Sequence, residues 1–167
     1  MPPVLAETTP LRIRPAVAAD APVIADFNRC LARETEHREL DPTRVGPGVA
    51  AVLADPAKGR YLVAEADGRV VGQLMLTFEW SDWRNGCFWW IQSVYVEAAH
   101  RGCGVFTRLY RHVERLARED AGVCGLRLYM EHHNAPARAA YEKLGMKAAG
   151  YEVFEVDFVP PSTAPPP

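Results

Sequence analysis

The segment that most constrains this chain is a strand, a glycine turn and a helix run together between Trp89 and Leu116. Trp89 to Val96 is dominated by β-branched and aromatic residues and reads as a strand. Val105, Leu109, Val113 and Leu116 then recur at helical spacing, with Arg108, Arg111, Glu114 and Arg115 off that face. Between them His100, Arg101, Gly102, Cys103 and Gly104 form the turn. A glycine-rich turn that opens a helix presents unpaired backbone N–H groups and the positive end of the helix dipole, which together suit a phosphate. The two glycines permit positive φ and close approach of a ligand, and Arg101 adds a fixed charge. The pattern is neither a P-loop, because no Gly-Lys-Ser/Thr follows, nor a dinucleotide fingerprint, because the third glycine is missing. A plain strand-to-helix turn would use the same residues.

Around this unit the chain reads as one domain. Leu11 to Arg14 alternates and predicts a first strand ended by Pro15, and Asp20 is placed to cap a helix from Ala21 to about Glu36. Asp41-Pro42 and Gly46-Pro47-Gly48 predict a break before a short second helix near Val49 to Leu53. Tyr61 to Ala66, the Asp67-Gly68 turn and Arg69 to Phe78 form a hairpin. Glu79 to Gly86 reads as a polar, aromatic loop. After the central unit, a fifth strand is expected at Gly125 to Met130, an Asn134-capped helix to about Leu144, and a last strand at Tyr151 to Phe158. Residues 1–10 are expected to be a flexible N-terminus and 159–167 a disordered proline-rich tail, since repeated proline cannot pair in a sheet. The order β-α-α-β-β-β-α-β-α-β joins a meander to a βαβ crossover, an α/β or α+β sheet.

Several function classes recede on composition. A chain of 167 residues at net charge −2 lacks the basic footprint of a nucleic-acid binder. Its apolar runs are strand-sized, so no membrane span is expected. Met1 to Glu7 lacks the basic and apolar regions of a signal peptide, and Cys30, Cys87, Cys103 and Cys124 are scattered. Reduced thiols and a cytoplasmic location are the expectation.

Two motifs carry a resemblance. Val94 to Val96 is followed by Arg101-Gly102-Cys103-Gly104-Val105, and Asn134 to Met146 comes close to N-x-x-A-x-x-x-Y-x-x-x-G-F, with Asn134, Ala137, Tyr141 and Gly145 in register. In both, and in their order, the sequence resembles the GCN5-related N-acetyltransferases (GNAT). In the layout of its hairpin and its aromatic, acidic loop it is closest to the spermidine/spermine (diamine) branch. The resemblance implies a mixed, mostly antiparallel twisted sheet with helices on both faces across residues 11–158. It also implies acetyl-CoA as cosubstrate, with no metal. By the same resemblance the pyrophosphate falls to Arg101 and the amides of Gly102, Cys103, Gly104, Val105 and Phe106. The pantetheine arm falls to Val94 and Val96, and the thioester oxygen to an amide near Val94 or Tyr95. Asn134 is a further cofactor contact, and Tyr141 contributes its hydroxyl. One position departs: the family motif wants a small residue where this chain has Phe106.

The chemistry this implies is acetyl transfer to a primary amine by direct attack in a ternary complex. An alkylammonium has a pKa near 10.4, so only about one in a few thousand is neutral at pH 7, and a base or a water chain to one is useful. The departing thiolate needs an acid, which the resemblance finds in Tyr141. Spacing alone also allows Tyr141 as a core aromatic, because Ala137, Tyr141 and Leu144 share a helix face. Many relatives carry a base on strand four, where this chain has Trp90, Gln92 and Ser93. Glu79 and Glu131 are the leading base candidates, with Asp82, Glu34, Glu36 and His37 also weighed. Acidic and aromatic residues favour a small amine as partner, with Glu34, Glu36, Glu79, Trp80, Asp82 and Trp83 on the expected acceptor side. The alternatives are a protein N-terminal or lysine acetyltransferase and a non-catalytic acyl-CoA sensor. The tryptophan-rich segment and the last strand leave enough aromatic edge to expect a homodimer.

Overall fold

A computed structural model describes residues 10–159. The elements run β1 (Arg12–Pro15), α1 (Ala21–Glu36), α2 (Pro42–Ala54), β2 (Arg60–Ala66), β3 (Arg69–Ser81), β4 (Gly86–Val96), α3 (Val105–Glu119), β5 (Val123–Arg127) and α4 (Ala135–Lys143). The sheet order is β1-β2-β3-β4-β5, antiparallel except for the β4–β5 pair, which α3 connects. This is the mixed, mostly antiparallel sheet expected from the sequence.

Two cores follow from strand alternation. Leu62, Ala64, Val71, Leu74, Leu76, Trp89 and Ile91 point to one face and bury against Val105, Leu109, Tyr110 and Val113 of α3. Tyr61 and Val63 point to the other face and meet Ile24 and Ala25 of α1 and Val49 of α2. At Gly72 α3 comes close to the sheet: a Cβ there would lie 3.0 Å from Val105 Cγ1 and 3.3 Å from the Tyr95 carbonyl oxygen.

Four local expectations need correction. The second helix begins at Pro42 and not at Val49, and runs through Gly46-Pro47-Gly48. Asp41 caps it by accepting the Thr43 N–H at 2.8 Å, Pro42 sits at its first position, and Val45, Val49, Val52 and Leu53 pack on α1 and β2. That packing outweighs the hydrogen bond lost at Pro47. The segment from Glu79 to Gly86 is mostly strand: Glu79, Trp80 and Ser81 pair with Phe88, Cys87 and Gly86, leaving a turn at Asp82 to Asn85. Cross-strand pairing overrides its local polarity. The fifth strand is Val123–Arg127 and ends before Leu128, where β4 no longer runs beside it. Tyr151 to Phe158 forms no strand; its backbone pairs with no described strand and its large apolar side chains are exposed. An alternating pattern gives β preference but not a partner edge. The expected flexible N-terminus and proline-rich tail lie outside the described residues, apart from Pro10 and Val159.

Asp20 stands at the N-cap of α1 but does not cap it. Its carboxylate, largely buried, turns back to accept both terminal nitrogens of Arg14 at 2.7 and 3.0 Å and the Val17 N–H at 2.8 Å. Arg14 also donates Nε–H to Glu65 at 2.8 Å, so one guanidinium ties β1, β2 and the entry to α1. The Arg14 hydrogen bonds hold the Asp20 carboxyl below its ordinary 3.8. A depressed folded value means the stabilisation is complete above the ordinary value and is lost as pH falls through the folded one. Asp20→Asn should cost about 2–3 kcal/mol, lower the melting temperature by roughly 4–12 °C, and flatten the acid limb of a stability–pH curve below about pH 4. Urea titrations from pH 3 to 7 read both effects; an unchanged midpoint at pH 7 would dismiss the Asp20 anchor.

Candidate active site

The parallel pair is short. β4 and β5 are in register only from Cys87 to Trp90, opposite Val123 to Arg127. β4 continues to Val96, while beyond Arg127 the other chain turns out of the sheet toward α4. The outer edge of Ile91 to Val96 is left facing a cleft of about 740 Å³. Tyr129, Met130, Glu131, Ala137 and Tyr141 form its opposite wall, and Leu31, Glu34, Thr35 and Glu36 of α1 form a third.

β4 also carries a bulge at this point. Tyr95 pairs with Gln73 and Gln92 with Met75, so Ser93 and Val94 together oppose Leu74. Ser93 takes φ 50°, unusual for a residue with a Cβ. Its carbonyl accepts the side-chain amide of Gln73 at 3.3 Å. The same nitrogen donates to Asn28 Oδ1 at 2.8 Å, and Asn28 Nδ2 donates to the Tyr61 hydroxyl at 3.1 Å. Gln73 is fully buried. The sequence offered one unused signal of this network: a glutamine amid the apolar residues of the third strand.

At the far end of β4 the glycine turn has the form its sequence suggests. Gly102 and Gly104 take φ 74° and 79° with open space beyond both. Gly104 is the N-cap of α3 and brings no side chain to the first-turn amides of Val105, Phe106 and Thr107. Beside the turn lies a second cleft of about 640 Å³, lined by His100, Arg101, Arg111 and Lys143 and by no carboxylate among the described residues. The larger cleft carries Glu34, Glu36 and Glu131 against one cation, Arg101. The two share Val96, Arg101, Phe106, Pro136 and Ala140, so a basic chamber adjoins an acidic one.

Residues 23–146 match the acetyltransferase (GNAT) family model. The chain belongs to the GNAT acetyltransferase family. It is 29% identical over 154 residues to the phosphinothricin N-acetyltransferase of Streptomyces viridochromogenes, covering 87% of this chain and 82% of that protein. A Clostridium difficile 630 protein described as a possible acetyltransferase superposes with a TM-score of 0.83 at 44% identity, over 89% of this chain and 98% of its own. The ribosomal-protein-alanine N-acetyltransferase of Brucella melitensis biovar Abortus 2308 shares the fold at 21% identity, with a TM-score of 0.72 over 90% of this chain and all of its own.

The structure of this acetyltransferase distributes the sequence candidates unevenly. Val94, Tyr95, Val96, Arg101, Phe106, Glu131, Asn134 and Tyr141 all line the larger cleft. Burial raises the Tyr141 hydroxyl above the ordinary value of 10, so it carries its proton at neutral pH. Phe106, the departure from the family motif, stacks edge-on against Tyr141 with centroids 5.6 Å apart and leans on Tyr110 at 6.3 Å. Its bulk therefore fills the joint between α3 and α4. Asn134 caps α4 by accepting the Ala137 N–H at 3.1 Å, and Glu131 accepts the His133 N–H at 2.8 Å. Glu79 is absent from the lining; its carboxylate accepts from Arg127 at 2.9 Å and from the Trp90 indole. Trp80, Asp82 and Trp83 lie at the end of the β3–β4 hairpin, outside the lining, with Trp83 88% exposed. Gln92 bonds Thr77 and the Tyr129 hydroxyl. Among the described residues no group of three or more His, Cys, Asp or Glu could hold a metal, and no helix is long and apolar enough to cross a membrane.

The buried amide that supports the bulge gives a direct test. Gln73→Leu keeps volume but leaves the Ser93 carbonyl and Asn28 without their donor, at a cost of about 1–3 kcal/mol. Denaturant titration should show that loss. Asn28→Leu in the Gln73→Leu background should add less than it does alone, because both act through one network. Strictly additive costs would separate Gln73 from Asn28.

Proposed function

We propose that this acetyltransferase moves the acetyl group of acetyl-CoA onto a small primary amine within a ternary complex. The observation that carries the reading is the pair of adjoining clefts, one basic beside a helix start and one acidic beside Tyr141. A polyanionic cofactor and a cationic acceptor call for opposite electrostatics at a short distance. The open glycine turn, the first-turn amides and His100, Arg111 and Lys143 fit phosphate oxygens. The edge of β4 at Val94 and Val96, which no described strand pairs, suits an extended amide-bearing arm once Arg101 leaves the Val96 carbonyl. Bound acetyl-CoA would supply an acyl thioester.

The chain's own groups then have defined work. The amides of Gly102, Cys103, Gly104, Val105 and Phe106 hold phosphate, with Arg101 beside them and Asn134 near the arm. An amide at Val94 or Tyr95 stabilises the developing oxyanion. Glu131 accepts the amine proton, directly or through water, and the Tyr141 hydroxyl protonates the departing thiolate. Glu79, engaged by Arg127 and Trp90, is left out of this assignment. The Streptomyces relative named for phosphinothricin supports a small-molecule acceptor. A diamine, as in the branch the sequence resembles, would meet its carboxylates on α1 instead of on β4, where Gln92 and Ser93 stand. The reading includes a cytoplasmic enzyme. It also includes a homodimer, because Tyr151, Val153, Phe154, Val156 and Phe158 are 71–90% exposed and no described strand pairs with the outer edge of β5.

Thiol release from acetyl-CoA with a pool of amines and peptides tests the reaction. Release with free primary amines is expected; release with peptides alone, or none with any acceptor, overturns the small-amine enzyme. Tyr141→Phe keeps the ring against Phe106 and should lower kcat by tens to hundreds, at or just below the lower end of the range of about 10²–10⁴ that positioned proton transfer provides. Coenzyme A affinity and melting temperature should hold. Because the raised hydroxyl stays protonated through neutrality, wild-type kcat should not fall below about pH 10 from this group. A wild-type rate in Tyr141→Phe would leave it a packing residue. Light scattering at tens of micromolar protein should return a dimer mass, and a monomer would contradict that part of the reading.

A further inference from the structure

Arg101 carries the one fixed positive charge that the described residues place on the acidic cleft, and it is committed elsewhere than its motif suggests. Its Nε–H donates to the Val96 carbonyl at 2.8 Å. Its terminal nitrogen donates to Glu34 Oε2 at 2.7 Å, across 67 residues of sequence, and its guanidinium lies 5.3 Å over the Tyr95 ring. The Tyr95 hydroxyl donates to the other Glu34 oxygen at 3.0 Å. Both Glu34 oxygens are thus occupied, one by a neutral hydroxyl and one by a cation.

We infer that Glu34 is an acceptor-binding carboxylate, masked by Arg101 in the free protein and released when Arg101 turns to a cofactor phosphate. The inference rests on the acetyl-CoA reading above. Arg101 lines both clefts and stands at their boundary. The guanidinium is planar and rigid, so a change of partner turns it as a whole about the side-chain torsions and gives up the Nε–H contact to Val96 together with Glu34. The competing pair is half-exposed on both sides, 46% and 44%, and pairs so exposed are weakly held. A phosphate beside first-turn amides offers more charge and a pre-arranged set of donors to share it.

Once Arg101 leaves, Glu34 keeps the Tyr95 hydroxyl, which burial and Glu34 itself push up to about 12 and so keep protonated. The other Glu34 oxygen faces the cleft without a cation. Glu36 from the same helix and Glu131 from the opposite wall add negative charge there. An ammonium group fits that position where a neutral or anionic acceptor does not. Cofactor and acceptor binding are coupled through one side chain, and the amine follows the cofactor.

Calorimetric titration with coenzyme A, which cannot transfer acetyl, separates the steps. Arg101→Gln should weaken coenzyme A by about tenfold or more, the loss of one charge-assisted contact. Glu34→Gln should tighten it by about two- to fivefold, the release of an exposed pair. The double variant should bind like Arg101→Gln, because Glu34 acts through Arg101. Butane-1,4-diamine, as an acceptor probe, should bind the coenzyme A complex of the wild type, several-fold more weakly without coenzyme A, and weakly to Glu34→Gln in either state. The masking is overturned if Glu34→Gln leaves coenzyme A affinity unchanged or reduced, or if its effect persists beside Arg101→Gln. The acceptor role is overturned if the diamine ignores coenzyme A or gives no heat in any state. A wild type that does not bind coenzyme A at all would instead sink the acetyl-CoA reading itself.

Discussion

Gln73 donates its amide to a carbonyl that the β-ladder has lost, and the geometry of the cleft follows from that exchange. A sheet strand cannot expose one edge to a ligand while its other edge stays in perfect register with a neighbour that bends. β4 meets both demands by inserting one residue: the ladder with β3 resumes at Tyr95, after Ser93 and Val94 have shared a single partner. The carbonyl displaced at Ser93 is part-buried, and leaving it unpaired would carry a desolvation cost. A fully buried glutamine on the neighbouring strand supplies the donor, and α1 holds that glutamine through Asn28. The polar network on the opposite edge stabilises the bulge, and the open edge begins where β5 ends at Arg127.

Both helix layers bear on this strand. From one face, Phe27 of α1 packs against Tyr95 with ring centroids 4.9 Å apart, and Glu34, two turns further along the same helix face, takes the Tyr95 hydroxyl. From the other, Val105 of α3 sits over Gly72, opposite Val96 in the ladder. The start of α3 is thereby fixed relative to the strand that ends just before it. A phosphate-binding turn needs this more than most loops, because its amides act only if they converge. Phe106 adds a third connection, joining the first turn of α3 to Tyr141 on α4. α4 has no fully buried residue of its own, so aromatic contact of this kind contributes much of its placement.

How far the sequence discloses this arrangement depends on the range of the interaction. α1, the β2–β3 hairpin and α3 were legible because periodicity and an Asp-Gly turn are local. The Gly102 and Gly104 conformations were legible for the same reason: positive φ is a property of the residue. α2 starts earlier than local pattern suggests because Gly46, Pro47 and Gly48 oppose a helix locally, while Val45, Val49 and Val52 stabilise it through contacts with β2 and α1. The extension of β3 through Trp80 was hidden in its pairing with Cys87. Tyr141, Asn134 and Glu131 were found by motif and position, and they share a cleft. Glu79 is a candidate for its charge and its place before the fourth strand, and neither reveals that Arg127 already holds it. The bulge had no signal, since nothing in Gln92-Ser93-Val94 announces a left-handed serine.

The charge arrangement has a consequence that composition conceals. With 19 basic and 21 acidic residues the chain is close to neutral, and its net charge of −2 predicts little about ligands. Within the clefts the signs are sorted: cations gather around the helix start, carboxylates around the α1 side of β4. The dipole of α3 reinforces the basic chamber, whereas the acidic chamber receives no comparable help and rests on side chains alone. That asymmetry makes the acidic side the adjustable one. On the proposed reading, exchange of Glu36 would alter which acceptor enters without touching the turn, the bulge or Tyr141, whereas exchange of Glu34 also frees Arg101 and so reaches the phosphate-binding end.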